Sequence, residues 1–306
     1  MRVAIAGSNG LACSIADAIT TNTYHQIIIL SRAPKPQLSA RGWQVVVVNY
    51  DESHRQELAF KLAGVSVVVS VISSPPQITL IDAAAQAGVR RFAPAEFEGP
   101  AALRPQQDAL DRGKRLALER LRYYYQTRGM EYTSFVCGIL YERFAPGGMY
   151  ASRIGLRSGI GAEGDYLVNI SQRKAQIPYG TNGQPAIISL TSAEDVGKFV
   201  AAAISLPQWP PELRMSGDRM NVSRLVQIVE TVRGAGFEKA HYNSQSMWSA
   251  LQLAQSAQDI QQQLRVITLM ATASGRFDFA SPNLNSLVAV TPTRFQAWLQ
   301  EAWRDR

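Results

Sequence analysis

The first turn of the chain restricts its fold more than any other feature. A short apolar strand at residues 2–6 ends at Gly7, and Gly10 follows at the start of a predicted helix, residues 11–20. Glycine is needed where the backbone turns sharply out of a strand and where it approaches a phosphate group at a helix N-terminus. A pair of glycines alone is weak evidence, but its position between a strand and a helix predicts a nucleotide-binding βα unit.

The alternation of strand and helix continues through the first 140 residues. Runs of Val and Ile bounded by glycine indicate strands covered on both faces, as in a parallel sheet. The predicted strands are 2–6, 26–30, 43–48, 66–71, 91–94 and 132–136, and the predicted helices are 11–20, 53–62, 77–87 and 110–128. This order predicts an α/β fold with a Rossmann-type, doubly wound parallel sheet.

The alternation stops after Gly138, which indicates a second, smaller structural unit. In this part of the chain we predict a strand at 187–190 and helices at 193–206, 222–233, 244–270 and 293–303. The expected division is a nucleotide-binding domain of residues 1–140, to which residues 165–206 return, and a smaller, mainly C-terminal substrate lobe of residues 141–164 and 207–306.

Basic residues after the second strand indicate which nucleotide the fold would bind. Ser31, Arg32 and Lys35 follow that strand, and no Asp or Glu occurs between Asp17 and Asp51. A site for NAD places an acidic residue near this point to bind the ribose hydroxyls, whereas a basic residue accommodates the 2′-phosphate of NADP. The sequence therefore favours NADP(H), with ordinary loop charges as the alternative interpretation of Arg32 and Lys35.

Composition excludes several other classes of protein. With 46% hydrophobic and 18% charged residues the chain is too apolar for a disordered protein, and no apolar run approaches the ~20 residues of a membrane span. The net charge of +7 is not concentrated in one basic, aromatic-rich segment, so no nucleic-acid partner is expected. Cys13 and Cys137 are too few for a disulfide framework, and the N-terminus does not match a signal peptide. We therefore expect a cytoplasmic protein without a membrane partner.

Other catalytic patterns are absent from the sequence. His25, His54 and His241 are far apart and lack metal-ligand spacing with either cysteine, so no metal site is predicted. No G-x-S-x-G nucleophile elbow or phosphate loop occurs, and no tyrosine is followed four residues later by lysine. Residues 159–164 match G-x-G-x-x-G literally, but they follow no apolar strand and are predicted to form a loop.

Later segments make a family resemblance specific. They are Arg91-Phe-Ala-Pro-Ala-Glu-Phe97, Lys114, Tyr132-Thr-Ser-Phe-Val-Cys-Gly138 and Thr191-Ser-Ala-Glu-Asp-Val-Gly197. With these segments the chain resembles the NmrA-like, isoflavone-reductase-like branch of the atypical short-chain dehydrogenases, over residues 1 to about 234. Two positions depart from the family pattern. Cys13 replaces a glycine, and Glu98 stands where a glycine usually follows the Glu-Phe pair.

The resemblance implies a set of cofactor contacts. It places an NADPH diphosphate on the first turn, the 2′-phosphate near Arg32, and the adenine near Asn49 and Tyr50. The expected cofactor-binding residues are Gly7, Ser8, Asn9, Gly10, Leu11, Ser31, Arg32, Lys35, Asn49, Tyr50, Ser73, Ser74, Pro75, Pro94, Glu96, Phe97, Lys114, Cys137 and Gly138. For Cys137 the alternative is a small buried residue at the end of a strand.

The resemblance also implies a catalytic residue and a substrate pocket. Lys114 matches the family's catalytic lysine, which would hold the ribose and donate a proton or hydrogen bond to the substrate. One more charge on a basic helix is the alternative for this residue. The expected pocket residues are Glu96, Phe97, Tyr141, Phe144, Met149 and Trp248, although such apolar and aromatic residues more often belong to a core.

The expected function is that of an NADPH-dependent reductase. It would transfer hydride to a C=N, C=C or C=O bond of an apolar small molecule, with a secondary metabolite as the expected substrate class. One alternative is an isomerase or rearrangement catalyst that binds NADPH without net redox change, and another is an NADP sensor that binds a transcription factor. Retention of Lys114 favours an enzyme, because a sensor needs no proton donor. We expect a monomer or a homodimer.

Overall fold

A six-stranded parallel sheet forms the centre of the N-terminal half. The computed structural model describes residues 1–156 and 158–304. The strands of this sheet are β1 Arg2–Ala6, β2 Gln26–Ser31, β3 Gln44–Val47, β4 Val67–Ser70, β5 Arg91–Ala93 and β6 Glu131–Tyr132. Their spatial order is β3-β2-β1-β4-β5-β6, and every pair of neighbours is parallel. The predicted α/β, doubly wound fold is therefore confirmed.

Eleven α-helices occur within the described residues. They are α1 Gly10–Asn22, α2 Pro36–Ser39, α3 Arg55–Lys61, α4 Pro76–Gln86, α5 Lys114–Arg128, α6 Ala193–Ala203, α7 Val222–Arg233, α8 Ser244–Ser256, α9 Ile260–Ala273, α10 Asn283–Leu287 and α11 Phe295–Ala302. The Gln-rich stretch predicted as one helix is thus two helices, α8 and α9. No helix of the described ranges is both long and apolar enough to span a bilayer.

Side chains of β1 divide the helices between the two faces of the sheet. Because successive residues of a strand point to opposite faces, Val3 and Ile5 share one face and Ala4 and Ala6 the other. The first pair lies in a core with α1 and α6, and the second pair lies in a core with α3, α4 and α5. Both faces of the sheet are therefore covered, as the continuous apolar strands predict.

The predicted helix at residues 110–128 starts later than expected. Helix α5 begins at Lys114, since Arg112 and Gly113 have φ angles of 50° and 76°, which a right-handed helix does not contain. The correction matters for function because Lys114 occupies the first turn of the helix.

The predicted strand at residues 132–136 is divided between two sheets. Its first part is β6, which pairs with β5, whereas its second part is β7 Ser134–Val136, which pairs with β12 Glu212–Arg214. Directly after it, β8 Ile139–Leu140 pairs with β11 Ile187–Thr191, and β11 also pairs with β13 Asp218–Asn221.

A further small sheet lies apart from the parallel sheet. It consists of β9 Val168–Asn169, β10 Lys174–Pro178 and β14 Glu238–Tyr242. In this sheet β10 pairs with β14, from the C-terminal part of the chain, and β9 pairs with β10. Helix α6, which follows β11, packs against α1. Helices α7, α8, α9 and α11 enclose a separate apolar core that includes Phe144, Ile188 and Phe295.

Candidate functional site

A large cavity lies at the carboxyl edge of the parallel sheet. It has a volume of about 890 Å³ and opens where β1, β2 and β4 end. Its described lining residues are Gly7, Ser8, Asn9, Leu30, Ser31, Arg32, Ala33, Lys35, Tyr50, Val71, Ile72, Ser73, Ser74, Pro75, Pro76, Arg112, Arg153, Gly155, Leu156 and Ser158. Ligands of open parallel sheets bind in such a crevice, beyond the ends of the strands.

The first turn requires both of its glycines. Gly7 has a φ angle of 121°, and a Cβ atom there would lie 2.5 Å from Cγ2 of Val71. Gly10 starts α1, and a Cβ atom there would overlap the carbonyl oxygen of Ser152. The side chain of Asn9 caps α1 by accepting a hydrogen bond from Ala12 N, 2.9 Å away. The turn thus brings bare backbone and a helix N-terminus to the cavity, as the sequence predicted.

Basic side chains line the end of the cavity that follows β2. Arg32 is exposed and Lys35 is half-buried, and both lie on the cavity wall. Tyr50 lies beneath them, where its hydroxyl donates to the carbonyl oxygen of Leu30 at 3.3 Å and burial raises its pKa. No Asp or Glu belongs to the described lining. This wall fits a phosphorylated ribose better than the free hydroxyls that an acidic residue would bind.

Two arginines of the cavity were missed by sequence reasoning. Arg112 precedes α5 and donates from Nη2 to the carbonyl oxygen of Ser158, 2.6 Å away. Arg153 lies on the loop that covers Gly10, and its carbonyl oxygen accepts a hydrogen bond of 3.1 Å from Gly10 N. Neither residue belongs to a recognisable motif, and the excess of basic over acidic residues was the one sequence signal that could have pointed to them.

The loop after β4 connects the cavity to the start of α5. Ser73, Ser74 and Pro75 all lie on the cavity wall. The hydroxyl of Ser74 donates to the carbonyl oxygen of Gly113 at 3.0 Å. Gly113, which accepts this hydrogen bond, directly precedes Lys114, the first residue of α5. Lys114 itself is not part of the described lining.

Lys114 forms a salt bridge with Glu98. The same carboxylate also accepts hydrogen bonds of 3.0 Å from Arg104 and from Arg276. Burial alone would raise the pKa of Glu98, but Lys114, Arg276 and Arg104 together lower it to about 2. Glu98 is therefore ionised throughout the neutral range and provides a fixed counter-charge to Lys114.

Glu96 lies in the same buried cluster of charges. Its carboxylate accepts two hydrogen bonds from Arg104, and only 1% of its side chain is exposed. Burial raises the pKa of Glu96, and the hydrogen bonds from Arg104 oppose that effect. Its neighbour Phe97 stacks on Phe135 with ring centroids 6.0 Å apart. Glu96 and Phe97 thus directly precede Glu98, the salt-bridge partner of Lys114, but lie outside the described cavity lining, as does Pro94.

Several expected pocket residues lie elsewhere in the structure. Tyr141 and Phe144 are fully buried and pack against Phe295 in the C-terminal core. Met149 is 5% exposed in the N-terminal core, whereas Trp248 is 57% exposed on α8. The structure does not bring these four side chains together, because their apolar surface is used in packing or is exposed on separate elements.

Asn49, Cys137, Gly138 and Leu11, which were also expected to contact the cofactor, lie outside the described cavity lining. The side chain of Asn49 points to His54, with Nδ2 of the amide 3.1 Å from Nδ1 of the ring. The backbone N–H groups of Cys137 and Gly138 both donate to the carbonyl oxygen of Glu98, at 3.1 and 3.2 Å. Cys137 is fully buried, and burial raises the pKa of its thiol. Leu11 is buried in the core beneath the first turn.

Within the described ranges, no three His, Cys, Asp or Glu side chains are grouped as a metal site would require.

The sequence profile of the NmrA-like family matches residues 1–298. The chain belongs to the NmrA-like family. Among its relatives, the oxidoreductase BOA1 of Botryotinia fuckeliana (strain B05.10) is 29% identical over 252 residues, 76% of each chain. The oxidoreductase swnR of Arthroderma benhamiae (strain ATCC MYA-4681 / CBS 112371) is 30% identical over 233 residues, 72% of this chain and 70% of the relative.

Solved structures share the fold of this NmrA-like protein at low sequence identity. Citrobacter sp. triphenylmethane reductase complexed with NADP(H) has a TM-score of 0.72 at 17% identity, covering 99% of this chain and 100% of the other. An NADPH-dependent quinone oxidoreductase from Escherichia coli has a TM-score of 0.72 at 18% identity, covering 98% of both chains.

The two departures from the NmrA-like pattern have different structural consequences. Cys13 is half-buried against the N-terminal core, and burial raises the pKa of its thiol. Glu98, in contrast, introduces a carboxylate beside Lys114 that a glycine could not supply. The second departure therefore changes the charge around the expected catalytic residue.

Proposed function

We propose that this NmrA-like protein is an NADPH-dependent reductase. The observation that carries the proposal is the cavity at the carboxyl edge of the sheet, which combines the bare backbone of Gly7 with Arg32 and Lys35 and has no acidic residue in its described lining. Backbone amides at a helix N-terminus suit a diphosphate, and the two cations suit a 2′-phosphate. The oxidoreductase names of its relatives and the NADP(H) complex of a structural neighbour support the same cofactor.

The chain's own residues would divide the work of binding and chemistry. The bound cofactor supplies the hydride. The loop of Ser73, Ser74 and Pro75 would border its ribose and nicotinamide, since this loop lies between the cavity and α5. Lys114, at the first turn of α5, would hold the ribose and stabilise the negative charge that develops on the substrate after hydride addition.

The proposed substrate is an apolar small molecule with a reducible C=N, C=C or C=O bond, of the kind found in secondary metabolism. Val71, Ile72 and Leu156 give the cavity apolar surface near the expected nicotinamide end. Because the cofactor would fill much of the 890 Å³, the substrate would complete the site from the side of the C-terminal lobe. Cys13 and Cys137 are both free thiols, which suits the reducing cytoplasm.

A turnover assay tests the proposal. Purified protein would be incubated with NADPH and a panel of imines, enones, quinones and ketones, while loss of reduced-nicotinamide absorbance and product formation are followed. We expect NADPH consumption matched one to one by reduced product for at least one acceptor class. Substrate conversion without NADPH consumption would indicate an isomerase. NADPH binding without conversion of any acceptor would favour the sensor alternative, and failure to bind NADPH would refute the cofactor assignment.

A further inference from the structure

A loop that follows β8 in the chain lines the dinucleotide cavity. We call residues 151–156 together with Ser158 the strap. The strap is joined to the first turn by the hydrogen bond from Gly10 N to the carbonyl oxygen of Arg153, and to the segment before α5 by the hydrogen bond from Arg112 to Ser158. It also lies so close to α1 that a Cβ atom on Gly10 would overlap Ser152. The strap is therefore a built part of the cavity wall.

The hydrogen bond between the strap and the first turn uses a backbone N–H that would otherwise donate to the diphosphate. The N–H of Gly10 belongs to the first turn of α1, where orphan backbone donors usually face a phosphate group. In this chain that N–H is already bonded to Arg153, so the diphosphate needs a replacement partner.

Arg153 has the position and the free side chain to be that partner. It lines the cavity and is exposed, and its guanidinium forms no hydrogen bond or salt bridge with residues 1–156 or 158–304. Its backbone has a φ angle of 56°, a left-handed conformation stabilised by hydrogen bonds of 2.9 Å from Arg153 N to Tyr150 O and from Ile154 N to Met149 O. The strap thus fixes the base of a cationic side chain directly beside the diphosphate-binding turn.

We propose that Arg153 binds the diphosphate of the dinucleotide in place of the Gly10 amide. This inference rests on the proposed cofactor. Arg32 and Lys35 would then serve the 2′-phosphate at one end of the cavity, and Arg153, with Arg112 fixing the strap, would serve the diphosphate at the other. A guanidinium matches the geometry of phosphate oxygens through two parallel N–H donors. Four cations would thus face a ligand whose three phosphate groups carry about four negative charges.

Ligand fragments separate this role from that of Arg32. NADH and ADP-ribose contain the diphosphate but not the 2′-phosphate, whereas 2′-AMP contains only the latter group. We expect Arg153→Gln to weaken NADPH, NADH and ADP-ribose about 10- to 100-fold in titration calorimetry and to leave 2′-AMP unchanged. Arg153→Lys should recover part of the loss. Arg32→Ala should show the opposite pattern, with weaker NADPH and 2′-AMP and unchanged ADP-ribose.

Arg173→Gln provides a matched control. Arg173 is also an exposed arginine in the left-handed region, with a φ angle of 53°, and its carbonyl oxygen also accepts a backbone hydrogen bond, from Glu238 N at 2.9 Å. It lies outside the described cavity lining, so its substitution should change no affinity. Thermal unfolding of all variants reports whether the fold is retained.

The possible outcomes distinguish this inference from the proposed function. If the unmodified protein binds none of the dinucleotides, the proposed cofactor is wrong. If it binds NADPH and Arg153→Gln binds ADP-ribose equally well, the cofactor stands and the role of Arg153 is wrong. Loss of 2′-AMP binding in Arg153→Gln would also overturn the inference, because the arginine would then contact the other phosphate.

Discussion

Lys114 and Glu98 form a salt bridge whose side chains are only 15% and 18% exposed. Glu98 also joins Lys114 to two nearly buried arginines, Arg104 and Arg276, which are 3% and 1% exposed. Removing one carboxylate from such a cluster leaves several cations without their counter-charge. The ammonium proposed to face the substrate is therefore positioned by a residue outside the cavity wall.

Glu98→Gln should lower the free energy of unfolding at pH 7 by about 3 kcal/mol, the cost of breaking a buried ion pair. Because the folded pKa of Glu98, about 2, is below its ordinary value, this stabilisation is present above about pH 4.5 and is lost as the pH falls toward 2. Urea unfolding across this range measures the effect. Glu57→Gln, which removes an exposed partner of Lys61, should cost less than about 0.5 kcal/mol. Equal costs for both variants would contradict the prediction.

Lys114→Ala should lower turnover by about 10²- to 10⁴-fold, the usual contribution of a general acid. NADPH affinity should fall much less, because the first turn and the basic cavity wall would hold the phosphates. Lys114→Arg should recover little turnover, since a guanidinium keeps its charge but does not readily release a proton. Arg122→Ala, an exposed position on the same helix, serves as the control for kcat. Full activity of Lys114→Ala on a converted substrate would assign the chemistry to another residue.

Arg32 should determine the preference for the phosphorylated cofactor. We expect the unmodified protein to bind NADPH at least ~10-fold more tightly than NADH, through a charge-assisted phosphate contact. Arg32→Ala should remove most of this preference by weakening NADPH alone, so the NADH affinity is the internal control. Fluorescence titration of both nucleotides gives the two constants. Equal affinities in the unmodified protein would refute the assignment.

Gly10→Ala should displace the strap from the first turn. The added methyl group would overlap the carbonyl oxygen of Ser152, so we expect a destabilisation of about 1–3 kcal/mol together with weaker NADPH binding. Gly236→Ala is the matched control, because no atom lies within 4 Å of its added Cβ. Urea unfolding and nucleotide titration of the two variants make the comparison. Wild-type affinity in a folded Gly10→Ala protein would show that close docking of the strap is not required.

Glu142 should make the protein less stable as the pH rises toward neutrality. Burial raises its pKa to about 7, and its Oε2 atom has no hydrogen-bond partner among the described residues, while Oε1 accepts from Ala193 N. A raised folded pKa contributes stability below pH 4.5 that is lost as the pH rises through 7, about 3 kcal/mol in total. Glu142→Gln keeps the acceptor but does not titrate, so its unfolding free energy should vary less over this range. Glu52→Gln, at a 63% exposed carboxylate, should behave like the unmodified protein. An unchanged pH dependence in Glu142→Gln would contradict this account.

The parallel sheet could be predicted from sequence because its information is local. Each of the strands β1 to β5 contains a short run of mainly apolar residues, and the faces of β1 follow from simple alternation of Val3, Ala4, Ile5 and Ala6. The strand β14 gave no such signal, since its sequence Glu-Lys-Ala-His-Tyr is almost fully exposed. It exists because β10 provides a partner distant in the chain.

The candidate site likewise contains some residues that local sequence predicts and others that it does not. The glycine turn, Arg32 and Lys35 are recognisable because they follow directly on predicted strands. The strap and the pairing of Lys114 with Glu98 depend on contacts between distant segments, such as Gly10 with Arg153, which no local pattern reports. The four aromatic and apolar pocket candidates show the opposite problem, because residue type alone does not distinguish a cavity wall from a packed interior.

Residues 131–140 contribute in succession to three different sheets, through β6, β7 and β8. These ten consecutive residues pair first with β5 of the parallel sheet, then with β12 and then with β11. They thus connect the parallel sheet to the C-terminal part of the chain through backbone hydrogen bonds. A hinge in this segment would have to break that pairing, so large opening and closing of the two halves about it is disfavoured. Substrate entry and product release would then depend on local movements of surface loops. Divergence of substrate preference among similar proteins would accordingly be concentrated in loop length and loop sequence, with the relative orientation of the two halves preserved.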